Sequence, residues 1–159
     1  MPLNSVQIQT LRSAILSETA PVIVQARTPA TRDDRVIAAF YNEPSTFVVW
    51  KTSVPVREIM ENGFVWTSVD ALTVAKARIW EWMTRYDTIN PSKPNIRQGV
   101  QDCFGAGSAM VTAILPHCKR FARRVEALFT TGTGTDAVPG LLVFEGAVTL
   151  DEVSKALNG

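Results

Sequence analysis

The sequence has few of the residues from which most catalytic and metal sites are built. It contains one histidine, His117, and two cysteines, Cys103 and Cys118, without CxxC or Cys/His spacing. A structural zinc site normally needs four such ligands, which makes one improbable here. A catalytic Cys–His pair would combine His117 with its neighbour Cys118. Adjacent residues on a helix point about 100° apart, which disfavours a direct hydrogen bond between these two side chains. We therefore expect a packing or surface histidine and two reduced, partly buried thiols, with a disulfide as the alternative.

The chain also lacks a charge surplus and a long hydrophobic run. Sixteen Lys and Arg against fifteen Asp and Glu leave a net charge of +1, so no overall basic field attracts nucleic acid. No window approaches the roughly 18 apolar residues of a membrane span, and residues 1–9 lack the pattern of a signal peptide. An apolar fraction of 46% with 19% charged residues argues against a disordered chain. These features predict one soluble domain over residues 1–159, with a helix and a loop in residues 1–35.

Hydrophobic periodicity and capping signals predict a mainly α fold, a compact helical domain with a small β-hairpin or two-to-three-stranded element. Strands are expected where β-branched and aromatic residues cluster, at 46–52 and 141–148. A proline-containing loop is expected over 18–30. The predicted helices are 5–17, capped by Asn4; 31–41; 55–62; 71–86, capped by Asp70; 94–104; 108–129, in which Pro116 either kinks one helix or starts a second; and 150–158, after the capping box Thr149–Glu152.

Two tryptophans of the 71–86 helix are the first hint of an interface. Apolar residues recur at three- and four-residue steps, which predicts a buried side made of Leu72, Ala75, Ile79, Trp82 and Met83. Trp80 and Trp82 are two positions apart, so both cannot face one core. One of them is expected to reach a second surface of the domain or a neighbouring subunit.

A cluster of cations is the second candidate binding feature. Lys119, Arg120, Arg123 and Arg124 fall within the predicted 108–129 helix, where four-residue steps place them on adjacent ridges. Such a strip can contact phosphates or an acidic protein surface. The alternative is a solvated helix face.

The glycine- and threonine-rich segment 131–139 is the third candidate feature. Thr131, Gly132, Thr133 and Gly134 lack the GxxxxGK[ST] pattern of a phosphate-binding loop, and a predicted strand rather than a helix follows. A flexible docking loop is the better interpretation. The acidic pairs 33–34 and 151–152 fall in first helical turns, where capping and the helix dipole account for them without acid–base catalysis.

Three blocks of residues carry a family resemblance over roughly residues 36–157. They resemble a family of small virion proteins encoded among the head and tail genes of tailed bacteriophages and prophages. The blocks are Phe40–Ser45 with Phe47–Val54; Asn90–Ser92 with Asn95–Gly99 and Phe104; and Glu126–Phe129 with Thr131–Gly134, Phe144–Gly146 and Glu152–Val153.

The resemblance implies a structural protein that has no catalytic residue and no cofactor. The expected role is a head–tail connector, or neck adaptor, forming a homo-oligomeric ring between portal and tail proteins. The ring would belong to the virion, be assembled in the host cytoplasm and contact packaged DNA non-specifically. A tail-terminator, tail-tube or capsid-decoration role is the alternative within the class. The alternative from another class is a small DNA-binding accessory protein that uses Lys119–Arg124.

Overall fold

Helices are the main elements of the computed structural model, which describes residues 2–159. Helix accounts for 55% of the chain, so the mainly α prediction is confirmed. Short 3-10 turns lie at Pro29–Thr31 and Leu115–Cys118. The α-helices are α1 (Ser5–Ser17), α2 (Pro21–Ala26), α3 (Asp34–Asn42), α4 (Val56–Glu61), α5 (Trp66–Asp70), α6 (Val74–Thr84), α7 (Pro94–Phe104), α8 (Ala109–Ile114), α9 (Arg124–Ala127) and α10 (Leu150–Asn158).

The strands form three small two-stranded sheets. Their bounds are β1 (Pro44–Trp50), β2 (Val54–Pro55), β3 (Thr88–Ile89), β4 (Lys119–Arg123), β5 (Thr130–Thr131) and β6 (Leu141–Leu142). The pairs are β1 with β4, β2 with β3, and β5 with β6. The last two pairs are antiparallel. The two predicted strands thus lie in different sheets, each with a partner of its own.

Contacts divide the chain into two compact units. The terminal unit comprises the residues up to Val48 together with Phe121–Gly159, and the central unit is Val49–Arg120. The chain passes from one unit to the other within β1 and again within β4.

The terminal unit is built around α3, which contacts α2, α9 and α10, while α10 also packs on α1. Capping residues determine where two of its helices begin. Asn4 and Gln7 form a reciprocal capping box at α1, and Thr149 and Glu152 form another at α10. The buried core includes Leu11, Ile15, Ile23, Ile37, Tyr41, Val125, Phe144, Val148 and Val153.

In the central unit α6 packs on α7 and also contacts β3, and in the short β2–β3 ladder Val54 faces Ile89. Its core includes Trp50, Ile59, Phe64, Trp80, Val100, Cys103, Met110, Ile114 and Cys118. The Trp80 ring lies 6.0 Å from Phe64 and 5.0 Å from Phe104, measured between centroids, so aromatic contacts fix this side of α6.

The predicted loop 18–30 is wrong in its middle, because Pro21–Ala26 forms α2. Pro21 occupies the first turn, where a missing N–H costs nothing, and Ile23 is fully buried. The next helix begins at Asp34 rather than Thr31. The Asp33 side chain accepts hydrogen bonds from Arg35 N and Val36 N and thereby sets that start.

The predicted 108–129 helix begins as expected, with Ser108 capping α8, but is wrong beyond Ile114. After α8 a 3-10 turn contains Pro116, whose ring and missing N–H disfavour a continuing helix. Residues 119–123 then form β4, and the Ser45 hydroxyl on β1 donates to the Ala122 carbonyl at 2.8 Å. Pairing with a strand distant in sequence here outweighs local helical propensity.

The helix predicted at 71–86 begins three residues later and buries a different face. Thr73, not Asp70, is the N-cap, and α5 occupies the residues up to Asp70. Trp80 is buried, whereas Ile79 and Trp82 of the predicted core side are exposed. The predicted strand 141–148 is likewise shortened to β6, because the chain bends at Val143 and Phe144 and Gly146 adopts a φ of +148°.

Candidate interaction surfaces

The cationic cluster does not lie on a helix. Lys119, Arg120 and Arg123 belong to β4, and Arg124 begins α9. Successive residues of a strand point to opposite faces, so Lys119 and Arg123 share one side while Arg120 shares the other with the buried Ala122. The predicted pair of helical ridges is therefore wrong, and the four cations form no single strip.

Arg124 makes its contacts within the terminal unit. Its guanidinium carbon lies 4.0 Å above the Phe40 ring, and Nη2 lies 3.5 Å from a Glu43 carboxylate oxygen. Its backbone N–H donates to the Glu43 carbonyl at 2.9 Å. The preceding residue, Arg123, donates its backbone N–H to the buried Glu126 carboxylate at 2.8 Å. These contacts hold the β4–α9 corner together.

In the central unit, two cations flank the buried Trp50. The Arg97 guanidinium carbon lies 4.6 Å from a Trp50 ring centroid, and Lys119 Nζ lies 5.8 Å from one. Arg97 also donates to the carbonyls of Pro91 and Ser92, at 2.6 and 3.0 Å. Burial lowers the pKa of Arg97 from its ordinary value. No residue spacing predicted this cluster, because its members come from three separate elements, β1, α7 and β4.

The lone histidine lies beside a carboxylate in the central unit. His117 Nδ1 is 3.8 Å from a Glu58 oxygen, and Lys51 Nζ is 2.9 Å from the same oxygen. The neighbouring Cys118 and Cys103 of α7 are both free and buried. Within residues 2–159, no group of three or more His, Cys, Asp or Glu side chains is placed to hold a metal ion.

The glycine-rich loop is attached to β1 at its two ends. Val48 N donates to the Gly134 carbonyl at 2.7 Å, and Gly140 N donates to the Val48 carbonyl at 2.9 Å. Both glycines also lie against the Phe47 ring, so closely that a Cβ at Gly134 or Gly140 would overlap it. Only the tip, residues 135–138, and residues 131–133 are exposed. The loop thus has a fixed base and an exposed tip.

The two tryptophans of α6 point in opposite directions. Trp80 is 6% exposed and Trp82 is 70% exposed, which confirms that they do not share one core. Ile79, three residues before Trp82, and Tyr86, four residues after it, are exposed as well. The predicted buried side is therefore wrong for Ile79 and Trp82, whereas its members Leu72 and Met83 are half-buried and pack against the core.

A second exposed apolar group lies on the β5–β6 hairpin, which contains the glycine-rich loop. Val138, Leu141 and Val143 are exposed, and Val143 is 65% accessible. Val143 N donates to the Phe129 carbonyl at 3.3 Å, which extends the β5–β6 pairing by one step. This exposed group was not predicted from the sequence, where 141–148 was expected to be a strand.

Within residues 2–159, no helix combines the length and the apolar character needed to cross a membrane. Comparison with protein-family models, with curated proteins and with solved structures finds no match to this chain.

Proposed function

We propose that this chain is a non-enzymatic structural protein of a tailed-phage virion, a head–tail connector that forms a homo-oligomeric ring between portal and tail. The resemblance of residues 36–157 suggests the class. The exposed aromatic side of α6 is the observation in the structure that supports an assembly role.

That side of α6 has the composition of a protein-binding surface. Trp82 and Tyr86 are 70% and 74% exposed, and Ile79 and Val74 are exposed beside them. Arg78, also exposed, precedes Trp82 by one helical turn. Tryptophan, tyrosine and arginine are the residues that most often carry binding energy at interfaces. Contiguous exposed apolar groups of this kind mark interaction sites.

The test of this function is assembly and presence in the particle. Light scattering and negative-stain imaging of the purified protein, alone and with portal protein, should show rings. Mass spectrometry of purified virions should detect the chain. A protein that stayed monomeric with every virion partner and was missing from purified particles would refute the proposal.

Labelling of intact particles distinguishes between the neck, tail and capsid positions that the protein could occupy in the virion. An epitope tag at the C-terminus, followed by gold labelling, should mark the neck. Label along the tail or over the capsid would replace the connector with a tail or decoration role.

A further inference from the structure

The exposed side of α6 has the residue spacing of a helix that pairs with another helix. Four exposed residues, spaced by four, three and four positions, form what we call the α6 seam: Ala75, Ile79, Trp82 and Tyr86. Arg85, just after α6, keeps helical dihedral angles, with φ −63° and ψ −29°, so the course of the helix extends to the last of them. The seam is about 17 Å long at 1.5 Å per residue. Alternating steps of four and three residues are those of a coiled-coil interface.

Three cations flank the α6 seam. Arg78 and Arg85 lie on one edge and Lys76 lies on the other, each next in sequence to a residue of the seam. All three are exposed, and within residues 2–159 none of them forms an ion pair. The one acid of α6, Glu81, lies about 100° around the helix from Trp82. Both edges of the seam therefore carry positive charge that no acid of the described residues pairs with.

These edges favour an acidic partner helix over a second α6. In a pair of helices, the side chains that flank the two seams meet across the interface and determine the choice and orientation of the partner. Two antiparallel α6 helices would bring arginine against arginine, and two parallel ones would bring no opposite charges together. Like charges in contact disfavour a complex, whereas carboxylates placed against these cations favour it.

The chain itself does not supply such a partner helix. Within residues 2–159, every other helix that contains an acid exposes at most one large apolar side chain. The helices α1 and α2 each expose two, Val6 with Leu16 and Val22 with Val24, but neither helix contains an acid. A second copy therefore has no helix with an apolar stripe between acidic edges, and the partner is a different protein.

We infer that the α6 seam binds an acidic amphipathic helix of a different protein. That helix has about 12 residues in contact with the seam, with an apolar stripe of its own and Asp or Glu along both edges of the stripe. Trp82 packs between its apolar side chains, and the three cations beside the seam pair with its carboxylates. In the proposed connector this helix belongs to a portal or tail protein, and to that extent the inference rests on the proposed function.

Two synthetic peptides test the charge preference. Each consists of three heptads with leucine at the two seam positions, and the flanking positions are all glutamate in one peptide and all lysine in the other. Fluorescence anisotropy of the labelled peptides measures their binding to the full chain. The glutamate peptide should bind at least about tenfold more tightly, because it exchanges repulsion at three cations for attraction. Equal affinity for the two peptides, or no binding of the glutamate peptide, would overturn the inference.

Charge reversal on the protein tests the edges of the seam directly. The double variant Arg78→Glu/Arg85→Glu should reverse the preference and bind the lysine peptide more tightly. The matched control, Arg35→Glu/Lys93→Glu, makes the same change in net charge at the exposed starts of α3 and α7, where a helix favours acids. It should still prefer the glutamate peptide. All four positions are exposed, so circular dichroism should match the unsubstituted protein. A control that reversed the preference equally would overturn the role of the seam.

Trp82→Ala tests the apolar centre of the seam. It should raise the dissociation constant of the glutamate peptide at least about 30-fold, the loss typical of a central interface residue. Trp66→Ala, at a tryptophan of α5 that is 58% exposed, is the matched control and should leave binding unchanged. A single-stranded oligonucleotide is titrated in parallel, because exposed aromatic residues beside cations also stack on bases. Oligonucleotide binding that Trp82→Ala abolishes, without peptide binding, would assign the seam to nucleic acid and overturn the inference.

Cross-linking in the particle separates this inference from the proposed function. A photoreactive benzoylphenylalanine in place of Ile79 should link, in purified virions, to an acidic segment of another virion protein. A link to a second copy of this chain would overturn the inference and leave the connector role intact. A chain that selects the glutamate peptide, yet is monomeric with every virion partner and missing from particles, would refute the connector role and support the acidic-helix site.

Discussion

Glu152 is a buried carboxylate that joins two distant parts of the terminal unit. It is 5% exposed and accepts hydrogen bonds from Leu3 N at 2.7 Å, from Thr149 N at 2.8 Å and from the Thr149 hydroxyl at 2.9 Å. Burial alone raises the pKa of Glu152, but these hydrogen bonds favour the charged form and leave its pKa below the ordinary value. The charged side chain therefore fixes both the start of α10 and the N-terminal segment.

Glu152→Gln should lower the free energy of unfolding at pH 7 by about 1–3 kcal/mol, because an amide cannot accept all three bonds. A lowered pKa in the folded state means that the stabilisation is complete above the unfolded value, about 4.3, and is lost as the pH falls through the folded value. The difference in the free energy of unfolding between the variant and the unsubstituted protein should thus become smaller below about pH 4. Urea titrations at pH 7 and pH 3.5 measure this difference. The control is Asp151→Asn, at the exposed neighbouring acid, which should lower the free energy of unfolding by less than Glu152→Gln does. An equal loss of stability in the two variants would contradict this account.

The two cysteines should be poorly reactive in the folded protein. Burial raises the pKa of Cys103 and raises that of Cys118 to about 11. At pH 8 the thiolate of Cys118 should be on the order of 100-fold scarcer than that of a free thiol with a pKa of about 8.5. A disulfide-exchange reagent should label both thiols rapidly only in denaturant. Rapid labelling of Cys118 in the native protein at pH 8 would show that it is not buried.

Among the elements, the glycine-rich loop shows how a flexible sequence is held in one place. Two backbone hydrogen bonds to Val48 and the close approach of Gly134 and Gly140 to the Phe47 ring fix its base. Gly134 also has a φ of +67°, which glycine adopts without cost. Glycine is required there for both reasons.

Gly134→Ala should destabilise the protein by about 1–3 kcal/mol, because the new methyl overlaps the Phe47 ring and the positive φ disfavours alanine. In a protein that also carries Phe47→Ala, only the unfavourable positive φ remains, so Gly134→Ala should destabilise that protein less. A double-mutant cycle measured by thermal unfolding gives the coupling. Gly107→Ala, with a φ of +72° and open space around the new methyl, is the control for the backbone cost alone. Absence of coupling between positions 47 and 134 would contradict the contact.

For the whole molecule, the distribution of cations argues against strong binding to duplex DNA. The net charge is +1, and the cluster at 119–124 alternates across a strand. Lys119 lies over Trp50, and Arg124 lies over Phe40 beside Glu43. A side chain held in such contacts is less available to a phosphate.

Duplex binding should therefore depend weakly on salt. Four phosphate contacts would give a slope of about −3.6 in log Kobs against log salt, and we expect a clearly shallower one. Fluorescence anisotropy over a salt series measures this slope. A slope near −3.6 that disappears when Lys119, Arg120, Arg123 and Arg124 are replaced by alanine would favour the DNA-binding alternative.

The sequence by itself determined the features that depend on neighbouring residues. Asn4 and Thr149 begin their helices through hydrogen bonds that span three positions, and Gly105 ends α7 with a φ of +87°. The β1 strand, α4 and α7 were predicted within about two residues for the same reason. Their signals are local, and no distant contact opposes them.

Only the tertiary structure decided which faces are buried and which strands pair. Residues 119–123 have a helical pattern, yet they form β4 because β1 supplies a partner more than 70 positions away in sequence. The apolar stripe of α6 gave no sign that Trp80 is buried and Trp82 exposed, since that choice depends on where Phe64 and Phe104 lie. Such contacts join residues that sequence spacing does not relate. The exposed side of α6, which supports the assembly proposal, could therefore be defined only in the folded chain.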